Sequence, residues 1–199
     1  MAMTTPAYAE GWDKADGLVH HLKCPHFWRH GNGMTEAQYM DYLLEDAKSH
    51  IETLGSENIA CFIAEPIQGA GGLIVPPEGY HVKMGELCKE YDIKYITDEV
   101  VTAFGRLGHF FASKDVFGVQ PDIITTAKGL TSGYQPLSAT IISDEIHEVI
   151  SGEGSMFLHG MTYSGHPAAS AAALANIALM EKERIPQRVQ KTGKLFENN

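Results

Sequence analysis

Apolar positions along the chain recur with two different spacings. From Thr35 they fall at Tyr39, Leu43, Ala47, Ile51 and Leu54, three or four apart, which predicts an amphipathic helix. Thr35 suits its N-cap, Gln38 three residues on completes a capping box, and Gly55 stops it. Four short apolar runs of strand length follow, at 59–64, 93–97, 122–126 and 138–142. Between them, Pro76-Pro-Glu-Gly79 opens a second helix reaching about Tyr91. Asp144 starts a short helix, and Pro167 starts an Ala-rich one running to about Arg184. Strands that are near-continuous apolar runs, mixed with helices, predict an α/β fold with its sheet buried on both faces. Residues 1–34 show no clear period and read as an irregular segment ending in Gly31-Asn-Gly33.

Composition narrows the classes. Of 199 residues, 44% are hydrophobic and 20% charged, which is globular rather than disordered. Acidic residues outnumber basic ones, and the net charge of −10 argues against nucleic acid or an anionic membrane as the main partner. Three cysteines, Cys24, Cys61 and Cys88, are odd in number and far apart, so they form no disulfide framework and fit a reducing compartment. The stretch 154–180 lacks Asp, Glu, Lys and Arg. Its His159, His166, Pro167 and Asn176 make it too polar for a membrane span. The N-terminus lacks the basic start and apolar stretch of a signal peptide, so a soluble, cytoplasmic chain is expected. A metal site at Cys24, His26 and His30 is set aside, because Phe27 and Trp28 lie between the histidines, Pro25 argues against a helix before them and no acid completes the set. Gly69-Ala-Gly-Gly72 does not meet the dinucleotide spacing.

Asp98 and Lys128 stand just past the C-terminal ends of two apolar runs. In open α/β sheets that edge is where ligands bind. On position alone, ordinary strand-end charges remain the plainer reading. The surrounding wording changes this. The chain carries Ala64-Glu-Pro-Ile-Gln-Gly-Ala-Gly-Gly72, Thr97-Asp-Glu-Val-Val-Thr-Ala-Phe-Gly-Arg106, Pro121-Asp-Ile-Ile-Thr-Thr-Ala-Lys-Gly-Leu130 and His159-Gly-Met-Thr-Tyr-Ser-Gly-His-Pro167. In this order and spacing the four resemble the class III aminotransferases of the fold type I pyridoxal-phosphate enzymes, nearest the ω-amino acid or amine:pyruvate branch. The resemblance covers roughly residues 20–185.

The resemblance implies the central part of the large cofactor domain, with a mostly parallel sheet flanked by helices. Residues 35–199 would be that partial domain, and the small C-terminal domain and the Gly-Ser phosphate loop would lie outside the segment. Pyridoxal 5'-phosphate is the implied cofactor. Lys128 would form the Schiff base and shuttle the substrate proton, and Asp98 would pair with the pyridine nitrogen. A lysine amine becomes a nucleophile where burial and neighbouring positive charge favour its neutral form. Val100, two residues along an extended chain, would face the ring with Asp98. Thr162 would reach the phosphate of a neighbouring subunit, which implies a homodimer with a shared site. Glu65 would border the site, paired in some members with a mobile arginine. The partners implied are an amine donor and a 2-oxo acid acceptor such as pyruvate. Val101 stands where ornithine- and GABA-type relatives carry Gln, which favours the amine branch. Ala103, Leu107 and Met161 also depart from the usual pattern and leave the donor open. A truncated, non-catalytic relative acting in dimerisation or interaction stays open beside transamination. So does an aminomutase or decarboxylase of the same fold.

Overall fold

The computed structural model describes residues 9–14 and 17–197. Helix α1, Glu36–Leu54, starts where its side chains dictate. The Thr35 hydroxyl accepts the Gln38 N–H at 3.2 Å, and Gln38 Oε1 accepts the Thr35 N–H at 2.8 Å. Gly55 ends it with φ +78°, a conformation a side chain would strain. The stripe read from the sequence is the buried one: Tyr39, Leu43, Ala47 and Ile51, joined by Met40. Helix α2, Tyr80–Glu90, buries Tyr80, His81, Met84, Leu87 and Cys88.

Four strands form one sheet in the order β1 (Cys61–Ala64), β2 (Lys94–Asp98), β3 (Ile123–Thr126), β4 (Ala139–Ile142). The first three are parallel, and β4 runs antiparallel to β3. The fold is α/β and mostly parallel, as the chain's pattern implies. Strand β2 keeps its ladder one residue longer than its apolar run, because Asp98 still pairs with Thr125.

Burial differs from the expectation of a sheet covered on both faces. In β2, Tyr95 and Thr97 are buried while Lys94, Ile96 and Asp98 are half-buried. Tyr95 joins one core cluster with α1, α2, Ile93 and Val119. That cluster lies on one face. No residue of β1 is fully buried, and Ile141 of β4 is 42% exposed.

Residues 17–34 carry one helical turn, Phe27–His30, and are pinned to the core by Leu22, Phe27 and Met34. Helix α3, Asp144–Ser151, is capped by Ser143, and α4, Pro167–Lys182, has proline in its first turn. Helix α4 ends before the expected Arg184, which takes φ +51°, and α5, Ile185–Glu197, begins instead. Pro186 explains the break: it donates no N–H, and its ring excludes a preceding helical turn. Among the described residues no helix is long and apolar enough to cross a membrane.

Candidate active site

The parallel register brings three candidate residues to one edge. Strand β1 ends at Ala64 opposite Thr97, so Glu65 follows beside Asp98. Strand β3 ends at Thr126, and Lys128 follows two residues later. Adjacent strands lie about 4.8 Å apart, so Glu65, Asp98 and Lys128 occupy consecutive positions along the C-terminal edge. Asp98 is half-buried, and its Oδ1 accepts the Val100 N–H at 3.0 Å. That bond corrects one expectation. The chain leaves the strand at Asp98 and turns, so Val100 is not on an extended segment alternating with Asp98. An aspartate capping its own backbone two residues on favours such a turn. Glu65 likewise accepts the Gly69 N–H at 2.9 Å, closing the 65–69 turn.

The junction after Glu65 is held from below. His81 is buried, with Nδ1 2.8 Å from the Tyr95 hydroxyl and Nε2 3.0 Å from the Pro66 carbonyl oxygen. A carbonyl only accepts, so Nε2 carries the proton and the Tyr95 hydroxyl donates to Nδ1. Burial holds the imidazole below its ordinary pKa of 6.5, and it stays neutral in the fold. The unfolded chain protonates His81 first as pH falls below about 6.5, so stability is complete above that value and declines below it. Urea midpoints should therefore drop between pH 7 and pH 5, with a shallower drop in His81→Gln.

The loop after Asp98 is built on a carboxylate that motif reading passed over. Glu99 is 0% exposed. It accepts the Ala112 N–H at 2.7 Å, the Ser113 N–H at 2.9 Å and the Thr102 hydroxyl at 3.1 Å, and the Ser113 hydroxyl as well. It thereby caps the helical turn Ala112–Asp115 and closes the intervening loop. Within that loop the Phe104 N–H donates to the Phe110 carbonyl at 2.8 Å. Phe104 packs against the turn carrying Lys128, so closely that a Cβ at Gly129 would lie 2.9 Å from the Phe104 Cβ.

Lys128 opens a one-turn 3-10 helix, Lys128–Leu130, with φ +39°. Its side chain is exposed, so the described residues do not supply the burial expected of a nucleophilic lysine. It lines a concavity of about 620 Å³ with Ala127, Thr131 and the 133–138 loop. The size suits a small-molecule site. Asp98, Glu65 and Val100 do not line this concavity, and neither does Thr162, which lies in the exposed 153–166 segment. Two polar groups beside Lys128 add to the picture, one inside the quoted 121–130 segment and one far from it in sequence. The buried Thr126 hydroxyl has no hydrogen-bond partner. Asn176, the one side-chain amide of the Ala-rich α4, reaches the Lys128–Leu130 turn. Its only signal in the sequence is an amide in an otherwise small and apolar stretch.

The set fits an aldehyde-bearing, protonated pyridine. A solvent-accessible primary amine can condense with a carbonyl, and a carboxylate at the neighbouring strand end can accept a ring N–H.

The family model "Aminotransferase class-III" matches residues 1–199. The chain is 45% identical over 174 residues to the putrescine–pyruvate aminotransferase of Pseudomonas aeruginosa, covering 87% of this chain and 38% of that protein. It is 42% identical over 196 residues to the mitochondrial gamma-aminobutyrate transaminase 1 of Oryza sativa subsp. indica, covering 96% and 38%. Among solved structures, an amine transaminase from an uncultivated Pseudomonas species in its PLP-bound form superposes with a TM-score of 0.89 at 39% identity, covering 96% and 44%. An (S)-enantioselective omega-transaminase from Thermomicrobium roseum gives 0.87 at 45% identity, covering 92% and 41%. The chain spans about two fifths of the length of these relatives.

Proposed function

The chain belongs to the class-III aminotransferase family, and from that premise we propose that it carries the lysine and aspartate of a pyridoxal-phosphate-dependent transaminase. The reaction moves an amino group from an amine or ω-amino acid to a 2-oxo acid such as pyruvate. One observation carries the reading: the C-terminal ends of parallel β2 and β3 bring a carboxylate and an accessible lysine to one sheet edge, and the lysine also lines a ligand-sized concavity. Bound there, pyridoxal phosphate supplies an electron-withdrawing ring.

Lys128 would hold the cofactor covalently through Nζ. Once displaced by a substrate amine, the Lys128 Nζ would take the proton from the substrate carbon and deliver it to the cofactor's C4′ carbon, which is what turns exchange of the proton into transfer of the amino group. Asp98 would accept the ring N–H and keep that nitrogen protonated. The Val100 N–H on Oδ1 keeps the carboxylate oriented. Val100 and Glu65 would border the ring. Thr162 would donate its hydroxyl to the phosphate of a second copy. The pairing into a homodimer is supported by the exposed apolar side chains of Phe157, Leu158, Met161 and Tyr163 around it. Three free cysteines support a reducing compartment such as the cytoplasm.

Protein purified with pyridoxal phosphate should absorb near the violet edge of the visible range, and borohydride should fix the cofactor on the Lys128 peptide. Neither absorbance nor label would leave only the reading of a non-catalytic relative.

A further inference from the structure

We infer that Asn176 of α4 is a positioning residue that holds the lysine-bearing turn in its reactive shape, an inference that rests on the reading of Lys128 above. The Asn176 amide bonds the turn and the residue just past it at three points. Nδ2 donates to the Gly129 carbonyl at 2.9 Å and to the Leu130 carbonyl at 3.1 Å. Oδ1 accepts the Ser132 hydroxyl at 2.7 Å. One planar group therefore satisfies two carbonyls of a one-turn helix that continues into no further helix. The turn needs such a hold. Lys128, its first residue, and Ser132, just beyond it, both lie in the left-handed region, at φ +39° and φ +51°. Non-glycine residues persist there when their surroundings over-determine them. The turn's first bond, from the Leu130 N–H to the Ala127 carbonyl, is 2.9 Å, but the next two lengthen, with the Thr131 N–H reaching the Lys128 carbonyl and the Ser132 N–H reaching the Gly129 carbonyl, each at 3.3 Å. Leu130, buried between them, fixes the turn's depth but not its twist.

The position of Asn176 adds a second consequence. Helix α4 begins at Pro167, directly after the segment that carries Thr162. The amide therefore couples the Lys128 turn to the helix that follows the candidate phosphate-binding residue. An amide at this site sets the direction in which the Lys128 side chain leaves the turn.

The test uses three substitutions in the full chain. Asn176→Leu removes both donors and the acceptor. Asn176→Asp keeps the size and the Ser132 contact but turns an oxygen toward two carbonyls. Ser132→Ala removes only the outer bond. Amide hydrogen exchange is followed in cofactor-free protein, and the rate at which added pyridoxal phosphate becomes borohydride-fixed on Lys128 is measured in parallel. Both Asn176 variants should raise exchange in 127–133 by about tenfold or more, as expected when the side-chain donor to the Gly129 and Leu130 carbonyls is lost. They should slow attachment by a similar factor, leave exchange across β1 and β2 unchanged, and leave Ser132→Ala close to the parent. Unchanged exchange in the turn, or faster exchange with an unchanged attachment rate, would overturn the inference. If Asn176→Leu does not fold, Asn176→Asp decides alone. A parent protein that never fixes the cofactor would instead overturn the reading of Lys128, and with it this inference. A labelled parent with unaffected variants would overturn the inference alone.

Discussion

Lys128→Ala should abolish amino transfer, with a loss on the order of 10³-fold or more in single-turnover reaction with an amine donor and pyruvate. The same variant should lose all borohydride-fixed cofactor while melting within a few degrees of the parent. These two outcomes follow from different features of the residue. The Lys128 side chain is exposed and outside the core cluster, so truncating it removes little packing. Alanine inherits the same φ of +39°, so the backbone strain does not change. The amine is another matter, because among the described residues no other lysine follows the C-terminal end of any of the three parallel strands. Lys128→Arg separates charge from chemistry. It keeps a cation at the edge but cannot take up and give back a proton near neutral pH, since its guanidinium stays protonated. It should be as inactive as Lys128→Ala. Retained transfer in either variant would overturn the assignment of Lys128.

The edge that gathers Glu65, Asp98 and Lys128 was legible in the sequence because it depends on strand ends. Apolar runs give strand ends to within a residue or two, and parallel pairing then aligns them. The capping box at Thr35 was legible for a similar reason, since its partners are three residues apart. The extended course expected from Asp98 to Val100 was misread because alternation holds only while the strand lasts, and Asp98 bends the chain with its own carboxylate. Glu99 and Asn176 were invisible for a different reason. Their roles come from contacts 13 and 47 residues away in the chain, made by the fold and not by any local spacing. The Ala-rich helix hid Asn176 further, since small residues around it suggested packing alone.

Glu99→Leu should destabilise the fold by on the order of 3 kcal/mol or more, read as a lowered urea midpoint at constant slope. The carboxylate is fully buried and accepts two backbone N–H groups and two hydroxyls. Leucine fills the volume but leaves the Ala112 and Ser113 N–H groups in an apolar pocket with no acceptor, and each such orphan costs about 1–3 kcal/mol. Glu99→Gln should cost less, because one oxygen still accepts while the new amide meets donors. The damage should also reach the site before it reaches the core. Glu99 closes the loop that carries Phe104, and Phe104 is the wall against which Gly129 and the lysine turn rest. In the leucine variant the loop can open without disturbing the α1–α2 cluster on the Tyr95 face. Cofactor attachment at Lys128 should therefore fail at a lower urea concentration than far-ultraviolet ellipticity, whereas in the parent the two transitions should lie close together. If attachment and ellipticity fell together in the variant, Glu99 would be a stabiliser of the whole fold and the Phe104 loop would not be the link between it and the lysine.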